Sequence, residues 1–462
     1  MKTTFKKLFT FALAMSVVAL FAQEKKSSHI LITNVKVWDG TSENLIDADV
    51  LIKDNLISEV KKGIKAPKDI ITIDGKGGTL MPGLIEGHGH LQMNGTSISD
   101  IENNRNWEEL AVRSVVNAEN ALMSGFTSWR DAGGMGAGLK KTIDAGLVNG
   151  PRIYPSGGFI GPTGSHADFR NLTTPNETFN GPQSSGGRLG MSITADGISD
   201  IKAAVRQNFM QGASQVKIMS SGGVVSQFDP WQLDAYSAEE IRAAVETAEA
   251  YGSYVLSHAY SKKSIIRCLE NGVKTIEHCF MFDGDVAALM EEKGAYMTTN
   301  MQAFSPALSQ VSAISASKSS ARKAESAQLA FENYVENVKK HRPKLGFQGD
   351  CVGMPEACNK QNDHQIYLGA NFFGNHYYLK ALTSVNGEIL KLSGEVMDPY
   401  PDGKLGVIET GAYADLLIVD GNPLTNIELI GGNEKWFDAP VRDGIKGMKL
   451  IMKDGKIYKN TL

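Results

Sequence analysis

Met81-Pro82-Gly83-Leu84-Ile85-Glu86-Gly87-His88-Gly89-His90 is the stretch on which the reading of this chain turns. An apolar run ends in two imidazoles at i and i+2. On an extended strand the side chains alternate faces, so His88 and His90 point the same way. Two neutral imidazoles converging at a strand end can hold one divalent ion. Gly89 between them adds no bulk to the opposite face. A His-x-His pair alone is a weak signal, because such pairs also arise by chance. Its meaning depends on where the other candidate ligands fall.

Outward from this stretch, one alternation repeats. Trp107 to Ser124 has helical spacing and stops at Gly125. Residues 126–130 read as a strand. Ile198 to Gln211 is helical and stops at Gly212, and 215–219 is a short apolar strand. Ser237 and Glu240 have the spacing of a capping box that opens a helix running to Tyr251. Strand 253–258, helix 261–271, strand 275–278, helix 285–293 and strands 295–299 and 344–350 follow. Repeated strand–helix units mean a parallel sheet of an α/β protein. With about 320 residues available, closure into a (β/α)8 TIM-like barrel over residues 83–403 is the favoured architecture. An open doubly wound sheet is the alternative, although no Gly-x-Gly-x-x-Gly follows the first strand. Ser309 to Lys340 reads as an exposed loop leading into a helix from about Ser320, with no assignable chemistry.

The two ends have a different style. Residues 30–38, 49–53 and 57–60 alternate as short strands, and so do 414–420 and 446–453. Such segments at both termini point to one small β-sandwich domain assembled from residues 29–82 and 404–462. A separate C-terminal β domain is the alternative.

A formal net charge of −4 leaves no basic excess, so nucleic acid is excluded as a partner. Residues 1–22 read as a signal peptide. Lys2, Lys6 and Lys7 precede an apolar run from Leu8 to Phe21 that is too short for an ordinary membrane span. A cut after Ala22 puts a small residue at −1 but Leu20 at −3, and an uncleaved anchor is the alternative. The expectation is an exported protein, periplasmic or secreted, with no stable membrane span after cleavage. An oxidising compartment permits disulfides. Cys351 and Cys358 are close enough to pair, but spacing does not fix connectivity, and buried thiols are the alternative.

The candidate ligands now fall into place. His88, His90, Lys217, His258, His278 and Asp350 each stand at or near the C-terminal end of a candidate strand. In a parallel barrel those ends converge on one face.

This pattern resembles the amidohydrolase superfamily of metal-dependent hydrolases. The resemblance is greatest to the branch of imidazolonepropionase-like enzymes, secreted prolidase-like (Xaa-Pro) dipeptidases and ochratoxin amidases, and it covers nearly all of residues 30–460. Met81 to His90 matches the first-strand motif, with Glu86 where Asp is more usual. Val216-Lys217-Ile218-Met219-Ser220-Ser221-Gly222-Gly223-Val224 matches the bridging-lysine motif. Ser257-His258-Ala259-Tyr260 and Ile276-Glu277-His278 match the fifth and sixth strands. Gly349-Asp350 matches the last-strand aspartate, although Phe347-Gln348-Gly349-Asp350-Cys351 departs from the usual Gly-Thr-Asp. Residues 411–423 match the returning β domain.

The resemblance implies two divalent metal ions. His88, His90 and Asp350 hold one, and His258 and His278 the other. Lys217 bridges them as a carbamate derived from CO2, because an ammonium has no lone pair to offer a metal. Zinc suits these ligands, and manganese or cobalt can replace it. The implied chemistry is attack of a metal-bridging hydroxide on an amide carbonyl, with Asp350 as catalytic general base and then acid. A small N-acyl amino acid or dipeptide is the expected substrate. Cyclic-amide hydrolysis and a catalytically inactive barrel used for binding are the alternatives.

Around the ligands, His166 in Gly164-Ser165-His166-Ala167-Asp168-Phe169-Arg170 matches a substrate-binding histidine. Tyr260 is read as an oxyanion donor or a packing tyrosine, and Arg130 as a substrate-carboxylate ligand or a structural ion pair. His29, His341, His364 and His376 have no motif support. A homo-oligomer is compatible with the sequence, which does not fix the oligomeric state.

Overall fold

The computed structural model describes residues 29–462 apart from 67–69, 95, 97, 135, 225, 227, 316–317, 331–332 and 353–354. The signal-peptide reading of residues 1–22 lies outside the described residues. Eight parallel strands form the centre: Leu84–Gly89, Phe126–Asp131, Arg152–Tyr154, Val216–Met219, Val255–Ala259, Thr275–His278, Tyr296–Thr299 and Leu345–Phe347. Each is buried along its whole length, as strands covered on both faces must be. Helices flank them. The box at Ser237 forms as read: its hydroxyl accepts from Glu240 N–H, and the Glu240 carboxylate accepts from Ser237 N–H.

This TIM-like barrel is irregular at two places, and side chains repair both. The third strand breaks after Tyr154 and resumes as Phe159–Gly161. The first piece pairs with the second strand and the later piece with the fourth. The Gln215 amide donates to Tyr154 O and Asp131 O across the break, while the Asp131 carboxylate accepts from Ser156 N–H and Oγ–H. Backbone groups that leave the ladder are thus still satisfied.

The second place is the seam between the last and first strands. The Asn386 amide donates to Ile85 O at 2.8 Å and to Phe347 O at 3.0 Å. Asp350 N–H donates to His88 O, and Gly349 N–H to the Glu86 carboxylate. A Cβ on Gly87 or Gly346 would lie 2.5 or 2.2 Å from Asn386 Oδ1, so both glycines are needed for the amide to enter.

The β domain is two packed sheets. One holds Leu56–Lys61, Asp49–Lys53, His29–Thr33 and Ile71–Asp74 in that order. The other holds Lys456–Asn460, Met448–Lys453, Leu416–Val419, Thr79–Pro82, Lys36–Val37 and Ile46–Asp47. Thr79–Pro82 runs antiparallel to Leu416–Val419, with Leu80 opposite Ile418, so the two ends of the chain share one sheet. Ile32, Val50, Ile52, Leu80, Leu416 and Leu450 fill the space between the sheets. Arg152 fastens this domain to the barrel. Its guanidinium is buried, pairs with Asp415 at 2.9 Å and Asp454 at 2.6 Å, and lies over the Tyr413 ring.

Two regions differ from the sequence reading. Residues 309–340 are not a loop entering one helix. They contain Ser312–Ser315, Lys318–Ala330 and Tyr334–His341, all helical. Alanine and lysine are good helix formers, and in Lys318–Ala330 the described residues that turn inward are the small Ser320, Ala324 and Ala327, so the apolar stripe there is faint. Residues 355–397, left without elements in that reading, form the helices Pro355–Phe373, Asn375–Leu382, Ser384–Lys391 and Gly394–Met397. No described helix is long and apolar enough to cross a membrane.

Asn386→Ala should lower stability by about 2–4 kcal/mol, because it leaves two buried carbonyls unmet at the seam. Urea unfolding followed by circular dichroism measures this, and an unchanged midpoint would show that the amide does not close the barrel.

Candidate metal centre

At the C-terminal ends of the strands the structure brings His88, His90, Lys217, His258, His278 and Asp350 together. Donor atoms of His88, His278 and Asp350 lie within 4.8 Å of one another. His90 Nε2 is 3.4 Å from Asp350 Oδ1, and His88 Nε2 is 3.7 Å from the same oxygen. Lys217 Nζ is 3.5 Å from His88 Nε2. The ring of His258 lies 4.5 Å from that of His278.

The outer nitrogen of each imidazole is tied to the protein. His88 Nδ1 faces a Glu277 carboxylate oxygen at 2.6 Å, His90 Nδ1 faces Gly133 O, and His258 Nε2 faces Gly222 O. These partners only accept, so those nitrogens carry the proton and the opposite nitrogens keep their lone pairs. His278 Nδ1 is held between an acceptor and a donor, Asn300 Oδ1 at 3.0 Å and Gln348 Nε2 at 2.9 Å. Burial pushes the protonation of His88, His258 and His278 down, that of His278 to about 4. Neutral rings held in place, three of them with the tautomer set by an acceptor-only partner, suit metal ligation. The donor set therefore fits divalent ions.

Glu277 is the site residue the sequence reading quoted without a role. It is fully buried and paired with Arg130, whose Nη2 reaches both carboxylate oxygens, at 2.8 and 2.9 Å. Burial alone would raise its pKa, but Arg130 and Lys217 hold it below the ordinary carboxylate value. Strand alternation should send neighbouring Glu277 and His278 to opposite faces. The chain leaves extended geometry at His278, with φ +70°, and both side chains meet His88. Gln348, which departs from the family pattern, also has a place. Its amide nitrogen lies 2.9 Å from His278 Nδ1, and its oxygen accepts from Thr298 Oγ–H and His278 N–H.

Lys217 is 1% exposed and, among the described residues, forms no ion pair within 4.0 Å. Burial brings its pKa down to about 8. Asp350 has a side chain 20% exposed, which opens it to the mouth. Burial would raise its pKa, but the neighbouring His90, His88 and His278 hold it below the ordinary carboxylate value. Glu86, in the usual Asp position, lies below the ligands and holds His88 N–H and Gly349 N–H. Burial lifts its pKa to about 8.

Of the other predicted residues, His166 stacks on His258, 4.3 Å between ring centres. Tyr260 lies 4.5 Å from the His258 ring and 4.9 Å from that of His278, with burial holding its phenol protonated. Arg130 as a substrate-carboxylate ligand is corrected. Its side chain is 0% exposed and its donors go to Glu277, Gly87 O, Tyr254 and Thr275, so it is a structural ion pair beneath the site. Cys351 and Cys358 are joined as a disulfide, while Cys268 and Cys279 are buried thiols.

A profile described as the amidohydrolase family matches residues 79–345. Ochratoxinase of Aspergillus niger is 30% identical over 264 residues, 55% of this chain and 55% of that protein. The match thus spans about half the length of ochratoxinase. A crystal structure of an amidohydrolase superposes with a TM-score of 0.82 at 32% identity, covering 94% of this chain and all of the other. A prolidase crystallised with N-methylphosphonate-L-proline superposes with a TM-score of 0.79 at 31% identity and the same coverage.

Glu277→Gln should weaken metal binding about 10- to 100-fold, because it removes the negative charge that faces His88 Nδ1–H and leaves Arg130 without a counter-charge. Titration of metal-free protein with zinc reads this directly; wild-type affinity would remove Glu277 from its positioning role.

Proposed function

The chain belongs to the amidohydrolase family, and from that premise we propose a binuclear metal-dependent hydrolase that cleaves the amide or peptide bond of a small N-acyl amino acid or dipeptide. The observation that carries this reading is the set of four imidazoles with tied outer nitrogens, facing Lys217 and Asp350. The matches to a prolidase and an ochratoxinase support amide hydrolysis and favour substrates that end in a free amino acid.

His88, His90 and Asp350 would hold one ion, and His258 and His278 the other, with a carboxylated Lys217 between them. Bound there, the ions would polarise a carbonyl and bring the pKa of a water towards about 7. Zinc suits the donors. Lys217 is prepared for its modification: below its pKa it is an ammonium, and above it the amine lone pair can attack CO2, lose a proton and become an anionic carbamate. Asp350 is ionised and open to the mouth, so it can take a proton from the attacking water and pass it to the departing amine. Tyr260 keeps its phenolic proton beside His258 and His278, where it can donate to an oxyanion. His166, on the same side, would contact substrate. The periplasmic or secreted address belongs to this proposal, and the disulfide suits an oxidising compartment.

Asp350→Asn should slow turnover at least ~10²-fold in a screen of N-acyl amino acids and dipeptides against zinc-loaded protein. Wild-type rates in that variant would remove Asp350 as the proton carrier. The carbamate has its own signature. At fixed dissolved CO2, reconstitution of metal-free protein should accelerate about tenfold from pH 7 to pH 9 and then level off, as the neutral amine fraction does for a pKa near 8. A rate flat across that range would sink the modification.

A further inference from the structure

Asp350 stands three residues past the last barrel strand, Leu345–Phe347, in a left-handed conformation, φ +47°. On its upstream side it is gripped closely. Asp350 N–H donates to His88 O, Gly349 N–H donates to Glu86, and Gln361 and Gln365 of the helix Pro355–Phe373 both donate to Gly349 O. On the downstream side the next residue is Cys351. Its sulfur is joined to Cys358, in the first turns of that same helix. With its amide turned to satisfy its neighbours, Asn94 donates to Cys351 O and His90 O, which links this corner to the first-strand ligands. Both cysteines are buried, and Asp350 between these anchors is more open than the histidines it faces.

We propose that the Cys351–Cys358 disulfide is the positioning device for Asp350: it ties the residue after the carboxylate to the helix that grips the residue before it, and so makes a competent metal centre depend on thiol oxidation. The proposal rests on the reading of Asp350 as ligand and proton carrier. A left-handed residue outside the ladder does not hold its own orientation, because the extended and right-handed basins are open to it once the downstream tie is cut. Cutting the bond leaves the strand and its histidines in place and loosens one ligand, whose downstream side then rests on the amides of Asn94, at Cys351 O, and Gln361, 3.5 Å from Asp350 O. In a reduction, a phosphine takes up the oxygen of one water, the S–S bond breaks, and two protein thiols form.

The test compares wild type with the Cys351→Ser/Cys358→Ser double variant, both loaded with zinc and passed through a desalting column. Zinc per chain is read by elemental analysis, and kcat and KM on the dipeptide that wild type cleaves best. The variant should retain less zinc, and its kcat should fall at least ~10-fold while KM moves less than about threefold. In an Asp350→Asn background the same two substitutions should change kcat less than about twofold, since both changes act through one carboxylate. An equally large loss in that background would make the disulfide a general stabiliser and overturn the proposal. So would zinc content and kcat equal to wild type.

If the double variant does not fold, native wild type is reduced with tris(2-carboxyethyl)phosphine until two new thiols per chain appear, then desalted. Zinc content should fall and return on reoxidation; unchanged zinc overturns the proposal. Zinc loss in a protein that cleaves no amide would uphold the clamp and remove the hydrolase reading. An active protein indifferent to the disulfide would do the reverse.

Discussion

The buried pair of Arg130 and Glu277 is the fixed point of this molecule. Taking two charges out of water is costly, and the cost is offset only when every remaining donor and acceptor is met. Here they are met by Thr275, Tyr254, Gly87 O and the His88 ring, contributed by several different strands. The arrangement cannot relax without leaving a charge alone in the barrel, and that rigidity passes to His88. It also sets the state of Lys217. The carboxylate that would naturally pair with the lysine is already matched by Arg130, and the opposing influences of the two leave burial as the dominant effect on the amine.

The same site concentrates departures from ideal backbone. His278, Cys279 and Asp350 all have positive φ, and none is glycine. Each such residue costs on the order of 1 kcal/mol and persists only where its surroundings impose it. All three stand at or just past the ends of strands that lead to candidate ligands. Straight strands deliver side chains to alternate faces, so gathering neighbouring groups around one centre requires the chain to bend away from strand geometry. Gln348 and Asn300 under His278, and Glu86 under His88, are the supports that hold those bends.

Much of this was legible in the chain itself. The barrel strands are short apolar runs because both faces are covered, and Gly125, Gly212, Gly252, Gly272 and Gly294 mark where helices stop, each with positive φ. The six candidate ligands could be grouped because strand ends share a face. Glu277 could not be assigned, because alternation points it away from His278 and nothing in the sequence announces φ +70° at the next residue. Arg130 could not be decided, because strand position alone does not say whether a guanidinium reaches up to the mouth or inward. The helix Pro355–Phe373 was missed because it turns polar groups such as Gln361 and Gln365 inward to hold the last strand, which erases the apolar stripe. Asn386 is invisible for a similar reason: it is one amide on a helix face, and its work is to stand in for a missing ladder.

The sheet that joins Thr79–Pro82 to Leu416–Val419 carries a consequence for how the molecule is made. Leu80 leaves the ribosome long before its partner Ile418 exists, and the entropy of closing so large a loop must be met before that pairing returns anything. The barrel, whose strands mostly pair with near neighbours in sequence, can close first and shorten the distance. The strands from His29 to Asp74 can pair locally among themselves, but Thr79–Pro82 keeps one edge unpaired, and open to other chains, until Leu416–Val419 arrives. In this protein the two ends act as a clasp, and the molecule is finished only when the final fifty or so residues arrive.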